Sequence, residues 1–332
     1  MNMNDWLKSA ASKQKPMPIL SFPGIQLTGV TVNELVKSGK LQAECMKAIA
    51  DRFDTLASVS LMDLSVEAEA FGSPIHFSAD EVPTVTGAII ADENDLDNLA
   101  VPSIGTARTG EYVNTIREAK KLITDRPVFA GAIGPYSLAG RLMDMTEIMM
   151  LCYEEPELVH GVMEKATQFL IAYNTALRDA GADGLIMAEP ASGMLSPPLM
   201  EEFSTPYVAR IIAAVETVNC VFVYHNCGNS TIALVKHILA TGAKAFHFGN
   251  AIDLAEMIKL IPSDRIVMGN IDPVSRLRNG TPESVRTVTF DLLSQCGDYS
   301  NFILSSGCDI PPVTSLENLE ALFSAAKEHY HK

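Results

Sequence analysis

The sequence predicts a (β/α)8 barrel, in which eight parallel strands alternate with helices. Along its 332 residues, eight short apolar runs rich in Val, Ile and Phe alternate with longer stretches of helical periodicity. Most of these runs are continuously apolar, which is typical of strands covered on both faces. A doubly wound open sheet is the alternative. No Gly-x-Gly-x-x-Gly motif follows a predicted strand, so the dinucleotide-binding form of that fold is disfavoured.

The predicted elements follow one another regularly along the chain. The predicted strands cover residues 17–22, 57–62, 128–133, 184–188, 220–225, 243–248, 265–270 and 301–305. The predicted helices cover residues 157–180, 197–218, 231–240 and 315–329, and Thr281, Pro282 and Glu283 begin another as cap, first-turn proline and acidic residue. We interpret the loop-rich stretch 72–110, with a short hairpin run at 75–78, as an insertion in a single barrel domain spanning residues 1–332.

The composition is that of an acidic globular protein. Lys and Arg number 25 against 40 Asp and Glu, which gives a formal net charge of −15, and 47% of the residues are apolar. An acidic protein is a poor candidate for non-specific binding to nucleic acid or to anionic membranes. No apolar run approaches the length of a membrane span. We therefore expect neither a nucleic-acid partner nor a membrane.

The six cysteines are scattered through the chain rather than arranged as a disulfide framework. The first 18 residues carry charged side chains and lack the apolar segment of a secretory signal. We therefore expect a cytoplasmic protein. In that reducing compartment the thiols remain available as metal ligands or nucleophiles.

Polar side chains gather where the predicted strands end, which is where barrel enzymes place their active sites. They are Asp63, Glu189, His225, Cys227, His247, Asn270, Asp272, Cys308 and Asp309. His225-x-Cys227 leaves the fifth strand with both side chains on one side, and the loop after the eighth strand can bring Cys308 to the same point. Three such ligands suit Zn²⁺ and leave a fourth position for substrate. The alternative for Cys308 is a small buried apolar residue.

Seven segments of the chain, taken together, indicate a protein family more specifically than this ligand pattern does. They are residues 54–57, 66–72, 80–85, 134–140, 189–193, 225–229 and 307–312. In these segments the sequence resembles the methylcobamide:coenzyme M methyltransferases, a branch of the uroporphyrinogen decarboxylase superfamily. The family motif is His-x-Cys followed by a distant Cys, and His225, Cys227 and Cys308 match it.

The resemblance implies a (β/α)8 TIM barrel of the uroporphyrinogen decarboxylase type and a zinc-dependent methyl transfer. One Zn²⁺ per chain would be held by the three motif residues and would activate a thiol acceptor such as coenzyme M. The methyl donor would be a methylated corrinoid protein. The chain lacks the Asp-x-His-x-x-Gly signature of a cobalamin-binding domain, so the corrinoid is expected on that partner rather than bound permanently here.

Five further residues are candidates for the same site. Glu189 is predicted to be catalytic, either as the base that takes the thiol proton or as an exchangeable fourth zinc ligand. The alternative is a solvated carboxylate. His247, Asn270 and Asp309 are candidates for orienting the ligands, and Tyr136 is a candidate substrate contact.

Three other functions are alternatives to methyl transfer from a corrinoid. A porphyrinogen decarboxylase needs arginines after the first strand, but the first arginine of the chain is Arg52, and among the matched segments only Arg141 lies near a predicted strand end. A non-catalytic zinc protein would favour a closed set of four ligands. Thiol methylation directly from methyltetrahydrofolate, as in cobalamin-independent methionine synthases, would use similar zinc chemistry.

Overall fold

The computed structural model describes residues 1–331 of the chain. The strands are β1 Ser58–Val59, β2 Ile75–His76, β3 Thr84–Val85, β4 Val128–Ile133, β5 Gly184–Ala188, β6 Val221–Asn226, β7 Ala245–Phe248, β8 Ile266–Ile271 and β9 Phe302–Ser306. The α-helices are α1 Met3–Ala10, α2 Ile25–Thr28, α3 Val32–Leu35, α4 Gly39–Arg52, α5 Val66–Ala70, α6 Glu93–Asn98, α7 Thr109–Leu122, α8 Pro135–Met143, α9 Met145–Glu154, α10 Pro156–Asp179, α11 Pro197–Phe203, α12 Thr205–Val215, α13 Val235–Ala240, α14 Leu254–Leu260, α15 Pro282–Cys296 and α16 Leu316–Tyr330. Short 3₁₀ helices cover Ala11–Lys13, Phe22–Gly24 and Ala191–Met194, and a π-helix covers Pro273–Arg278.

Seven of the strands form one parallel sheet in the order β1, β4, β5, β6, β7, β8, β9. The sheet follows the chain order, with helices between successive strands, and this is the arrangement of a barrel rather than of a doubly wound sheet. In the register, Ala188 of β5 pairs with His225 of β6, which pairs with His247 of β7. These three residues therefore lie at the same level of the barrel, at the carboxyl ends of neighbouring strands.

The barrel closes through a segment that is extended but is not a regular strand. The backbone N–H of Met17 donates to Leu304 O at 2.8 Å on one side, and the N–H of Leu56 donates to Pro16 O at 2.8 Å on the other. The predicted strand at 17–22 is therefore wrong as a strand, although the segment takes the eighth position. Pro16 and Pro18 have no N–H to donate, so a continuous ladder cannot form there.

Helix α1 covers the amino-terminal mouth of the barrel. Its Trp6 packs against Phe129 of β4, with ring centroids 5.7 Å apart, and its Met3 donates its N–H to Val218 O at 2.7 Å. The barrel interior next to this helix is filled by apolar side chains, including Ile186, Val223, Ala245, Met268 and Ile303. The opposite mouth, at the carboxyl ends of the strands, is the one that carries the polar residues.

The other predicted elements agree with the structure except in one strand and two helices. The predicted strand 57–62 is regular only over β1, Ser58–Val59. The predicted helix 197–218 is broken at Ser204 into α11 and α12, because Pro206 cannot donate the N–H that a continuous helix needs. The predicted helix 231–240 becomes regular only at Val235. Thr281 caps α15 as predicted. The predicted hairpin run 75–78 supplies only β2, which pairs antiparallel with β3 at Thr84–Val85. No helix within residues 1–331 has both the length and the apolar character needed to cross a membrane.

Candidate metal and thiol site

The structure brings His225, Cys227 and Cys308 together at the carboxyl end of the barrel. Their nitrogen and sulfur ligand atoms all lie within 4.8 Å of one another, and Cys308 Sγ is 3.7 Å from His225 Nε2. His225 belongs to β6, Cys227 follows it directly, and Cys308 comes two residues after β9. His225 is buried, whereas the two cysteines are partly exposed. The residues share no continuous segment, so the fold creates the cluster.

Two glycines make the close approach of these loops possible. A Cβ at Gly249 would lie 2.4 Å from the Cβ of Cys227, and a Cβ at Gly307 would lie 2.7 Å from the backbone nitrogen of Asn250. Either contact is too short for carbon and its neighbours, so a side chain at either position would push the loops after β6, β7 and β9 apart. The small residues therefore allow Cys227 and Cys308 to approach each other.

A chain of buried hydrogen bonds fixes the orientation of His225. Ser305 Oγ donates to Met17 O at 2.7 Å, so its lone pair accepts the proton of His247 Nε2 at 2.8 Å. His247 then accepts at Nδ1 from His225 Nδ1 at 2.8 Å, and the carbonyl of His247, 3.2 Å from the same nitrogen, also requires a donor there. His225 therefore carries its proton on Nδ1. Its Nε2 lone pair faces the thiols.

His247 is neutral in this chain of hydrogen bonds. Burial, and next the proximity of His225, lower the pKa of its imidazole well below the ordinary value. A neutral imidazole has one donor and one acceptor, which is what the contacts to Ser305 and His225 require. This geometry is consistent with the predicted role of His247 in orienting a ligand. The hydrogen bond that His247 accepts determines which ring nitrogen of His225 is free.

The two thiols influence each other's protonation. Their mutual hydrogen bond lowers the pKa of Cys227, and the same bond together with burial raises the pKa of Cys308 to about 12. Cys227 therefore loses its proton more easily than an ordinary thiol, while Cys308 keeps its proton at neutral pH. A cation bound between them would favour the loss of both protons.

The donor set fits zinc. Zinc bonds of about 2.3 Å to sulfur and about 2.1 Å to nitrogen in a tetrahedron place ligand atoms about 3.5 Å apart, close to the 3.7 Å between Cys308 and His225. Two thiolates and a neutral imidazole balance the charge of Zn²⁺. Three protein ligands also leave one position open, as in catalytic sites.

Glu189 is fully buried beside this cluster but is not part of it. Its Oε1 accepts the backbone N–H of Ser137 at 2.6 Å, and its Oε2 accepts that of Tyr136 at 3.1 Å. Both donors belong to the first turn of α8, whose N–H groups favour a negative charge. Burial, as the largest effect, nevertheless raises the pKa of this carboxyl to about 7. The carboxylate therefore has the proton affinity of a base at neutral pH, but both its oxygens already hold helix α8.

The remaining predicted residues occupy different places. Tyr136 is fully buried with its hydroxyl 3.7 Å from Cys152 Sγ, so it packs inside the protein rather than against a substrate. Asn270 donates to Gly249 O and Ile252 O at 3.0 Å each, which fixes the loop behind Cys227. Asp309 follows Cys308, and both of its carboxylate oxygens are buried without a hydrogen-bond partner. Burial raises the pKa of Asp309 well above its ordinary range.

A cavity of about 550 Å³ opens beside the cluster and is lined by Cys227. Its volume is that of a small-molecule site. The rest of the lining comes from α8, the 3₁₀ helix after β5 and the loops after β6 and β7, and it is largely apolar, with Ala191, Met145 and Met194 among its residues. Ser305 is not predictable from the sequence, because its neighbours are distant in sequence. Arg141, whose place near a strand end bears on the decarboxylase alternative, also lines this cavity.

The chain is an α/β barrel in which an imidazole and two thiols that could hold a metal ion converge at the carboxyl-terminal mouth. The model of the uroporphyrinogen decarboxylase (URO-D) family matches residues 19–329. The chain therefore belongs to the URO-D family, as the sequence segments predicted.

The proteins that are similar to this chain in sequence are named either as methyltransferases or as uroporphyrinogen decarboxylases. A methylcobamide:CoM methyltransferase MtbA from Methanosarcina mazei is 28% identical over 334 residues, covering 95% of each chain. A methylated-thiol–coenzyme M methyltransferase from the same organism is 27% identical over 295 residues, covering 87% of this chain and 77% of the relative. A uroporphyrinogen decarboxylase from Coxiella burnetii is 26% identical over 305 residues, covering 88% of this chain and 82% of the relative.

Solved structures support the barrel. A methyltransferase from Methanosarcina mazei superposes with a TM-score of 0.87 at 23% identity, covering 99% of each chain. A B12-independent methionine synthase from Shewanella sp. W3-18-1 superposes with a TM-score of 0.61 at 15% identity, covering 90% of this chain and 89% of the other. Together with the family match, these likenesses confirm the predicted (β/α)8 fold.

Proposed function

We propose that the protein is a methyltransferase that moves a methyl group from a methylated corrinoid protein to a small thiol such as coenzyme M. It uses one Zn²⁺ per chain, bound by His225, Cys227 and Cys308. The observation that carries the proposal is the convergence of these three donors beside a cavity that can hold a small thiol. The similarity to the methyltransferases of Methanosarcina mazei over nearly the whole chain supports the same choice.

The chemistry requires a thiol to become a nucleophile at neutral pH. A free alkyl thiol has a pKa of about 8.5 and is mostly protonated there. Zinc, when bound, would lower that pKa and so supply a thiolate. The sulfur then attacks the methyl carbon, an S–C bond forms, and the Co–C bond breaks with its electron pair left on cobalt.

The chain's own residues orient the ligands and receive the proton. His247 and Ser305 hold His225 with Nε2 facing the thiols, and Asn270 supports the loop behind Cys227. Glu189 stays the predicted proton acceptor, because a carboxyl with a pKa of about 7 can take a proton from a neutral solution. We propose that the segment 72–110, an insertion in a single barrel domain, contacts the corrinoid protein, and that the enzyme works in the reducing cytoplasm.

Porphyrinogen decarboxylation is the weaker alternative despite relatives of that name. A substrate with several carboxylates needs several cations, and the cavity beside Cys227 is lined by a single arginine. Methylation directly from methyltetrahydrofolate is the other alternative, and the structural likeness to a B12-independent methionine synthase concerns the fold alone. The donor assay below separates these reactions.

The test combines a metal analysis with a methyl-transfer assay. Purified protein should contain about one zinc per chain and should methylate thiols when supplied with methylcobalamin, but not with methyltetrahydrofolate. Cys308→Ser should lose most of the zinc and the activity, because two ligands hold zinc far more weakly than three. Cys296→Ser is the matched control, since Cys296 lies buried on α15 away from the cluster.

Two results would contradict the proposal. A Cys308→Ser protein with a full complement of zinc would exclude this ligand set. A zinc-loaded wild-type protein that consumes methylcobalamin with no thiol of a broad panel, yet decarboxylates a porphyrinogen, would exclude methyl transfer.

A further inference from the structure

A second cavity, of about 370 Å³, lies on the amino-terminal side of the barrel, away from the metal cluster. Three parts of the chain form its wall. They are residues 13–16, which lead into the segment that closes the barrel, residues 52–54 at the end of α4, and residues between 320 and 331 on and just after α16. The volume is that of a small-molecule site, and the methyl transfer proposed above makes no use of it.

The wall of this cavity carries an excess of positive charge. Its cationic side chains are Lys13, Lys15, Arg52 and Lys327, and its acidic side chains are Asp54 and Glu320. Lys15 Nζ is 2.7 Å from Asp54 Oδ1, and Arg52 forms an ion pair with Glu320. Both carboxylates are therefore engaged. Two lysines remain without a counter-charge, although the chain as a whole has a formal net charge of −15.

The two remaining lysines are free to bind an anion. Both are exposed, and neither Lys13 nor Lys327 forms an ion pair within residues 1–331. Lys13 Nζ lies 5.5 Å from the centroid of the Trp6 ring, a contact that uses none of its N–H donors in a hydrogen bond. Like charges repel, so an anion between these two ammonium groups would relieve their repulsion and gain hydrogen bonds.

An aromatic ring lies in the same wall. Phe323 on α16 stacks on Phe53, with ring centroids 5.1 Å apart and ring planes at 29°, and both residues line the cavity. Phe53 is buried and Phe323 is half-buried, so part of the Phe323 ring stays accessible. Arg126 donates to Phe53 O at 2.8 Å and to Thr55 Oγ1 at 2.9 Å, which fixes the backbone beneath the stack. The wall therefore combines two free cations with an accessible ring face.

We propose that this cavity binds a small phosphate monoester that carries an aromatic ring, the chemistry shared by nucleoside monophosphates and flavin mononucleotide. The phosphate would lie between Lys13 and Lys327, because its charge at neutral pH, close to −2, matches the two free cations. The ring would stack against Phe323. Such a site is separate from the metal cluster and does not depend on the proposed methyl transfer.

Occupation of this cavity would stabilise the closure of the barrel. Pro16 lines the cavity, and its carbonyl accepts the N–H of Leu56 at 2.8 Å where the barrel closes. A ligand that binds the folded but not the unfolded chain raises the thermal midpoint of unfolding. The amide proton of Leu56 should accordingly exchange more slowly with solvent when the phosphate monoester is bound.

Calorimetric titration of the purified protein with a graded set of probes tests the assignment. The probes are AMP, FMN, phenyl phosphate, inorganic phosphate and adenosine. Phenyl phosphate should bind about 2- to 10-fold more tightly than inorganic phosphate because of its ring, and uncharged adenosine should bind most weakly. The tighter of AMP and FMN identifies which source of the shared chemistry the cavity prefers. Removal of zinc with a chelator should change none of these affinities.

Single substitutions separate the contribution of the charges from that of the ring. Lys13→Met and Lys327→Met should each weaken the binding of phenyl phosphate by about 3- to 30-fold. Phe323→Leu should weaken the binding of phenyl phosphate but leave that of inorganic phosphate within about two-fold. Lys236→Met is the matched control, because it removes an exposed lysine from α13, outside the wall of this cavity, and should leave every affinity unchanged.

Three outcomes would overturn the assignment. If no probe bound at millimolar concentration, the cavity would not be an anion site. An equal loss of affinity in Lys236→Met and in the two cavity variants would show only a general effect of the protein's charge. If AMP, FMN and phenyl phosphate all bound no more tightly than inorganic phosphate, the ligand would not be an aromatic phosphate monoester.

Discussion

The lone pair of a single nitrogen decides whether this site can bind a metal. His225 could carry its proton on either ring nitrogen, and only the Nδ1 form leaves Nε2 free to face Cys308. The acceptors around Nδ1, which are the carbonyl and the Nδ1 of His247, select that form. Outer residues that fix a tautomer contribute to metal affinity without touching the metal.

Ser305→Ala should therefore weaken zinc binding by about 10- to 100-fold. The change removes the acceptor of His247 Nε2, so the proton of His247 is free to move to Nδ1 and compete with that of His225. Zinc affinity is measured by competition with a chromophoric chelator. Ser306→Ala is the matched control, because Ser306 is equally buried on β9 but accepts the N–H of Ile19 instead.

Ser306→Ala should keep wild-type zinc affinity even if it lowers the free energy of unfolding. If both variants lost zinc equally, the effect would come from damage to β9 rather than from the tautomer of His225. If Ser305→Ala bound zinc as tightly as wild type, the hydrogen-bond chain would have no role in metal binding.

At the scale of elements, helix α8 connects the cluster to the cavity. It begins at Pro135 directly after β4, its first N–H groups bind Glu189, and its next turn carries Arg141 into the cavity wall. Gly134 cannot be replaced, because a Cβ there would lie 2.5 Å from the Glu189 carboxyl carbon. A change at Glu189 therefore acts on the whole helix as well as on proton transfer.

Glu189→Gln should change the pH dependence of stability. The pKa of this carboxyl rises from 4.5 to about 7 in the folded state, so the folded chain binds the proton more tightly than the unfolded chain. Ionisation then opposes folding, and the free energy of unfolding falls as pH rises from about 4.5 to 7, by about 1.4 kcal/mol for each unit of pKa difference. Gln cannot ionise, so urea unfolding of the variant should lack this part of the slope.

The activity of the same variant tests the predicted proton transfer. If Glu189 accepts the thiol proton, turnover should fall by about 10- to 1000-fold, and the limb of the pH–rate profile near pH 7 should disappear. Glu201→Gln, an exposed carboxyl on α11, should change neither the slope nor the profile. Unchanged turnover of Glu189→Gln between about pH 6 and 9 would leave the residue with a structural role only.

The sequence predicts some strands and helices better than others, for physical reasons. Continuous apolar runs identify β4 and β5 to the residue, because strands buried on both faces tolerate no polar interruption. The segment 17–22 is nearly as apolar, and only Pro18 and the preceding Pro16 indicate that no regular ladder forms. The break at Ser204 likewise follows from Pro206, which the helical periodicity around it conceals.

The candidate site likewise contains residues that the sequence predicts and residues that it does not. His225, Cys227 and Cys308 are predictable because they lie at strand ends, which a barrel brings together whatever the details of packing. The contact of Ser305 with His247 depends on the distance between two residues that are far apart in sequence. The sequence does not predict that Tyr136 is buried either, because the turn before it is also compatible with a residue that contacts substrate.

At the scale of the whole molecule, a metal in this cluster would link the loops that follow two non-adjacent strands of the barrel. Cys227 follows β6 and Cys308 follows β9, so one ion would hold together two loops that are joined through two intervening strands. The unfolded chain contains no such preformed site. Binding of the metal therefore stabilises the folded barrel.

Zinc should accordingly raise the thermal midpoint of unfolding, and more so at higher pH. A free zinc concentration of about 100 times Kd contributes about 2.7 kcal/mol. Because the pKa of Cys308 is about 12, binding must release at least one proton from the thiol pair, so mass action strengthens the stabilisation as pH rises. Scanning calorimetry with buffered zinc at two pH values measures both effects.

Cys308→Ser and Cys296→Ser provide the comparison for this whole-molecule effect. Both replace a thiol by a hydroxyl, and each can lower the midpoint on its own account. Only Cys308→Ser should abolish the difference between zinc-free and zinc-loaded protein, because only it removes a ligand from the cluster. A zinc-induced rise that persists in Cys308→Ser, or one that shrinks as pH increases, would place the metal elsewhere in the molecule.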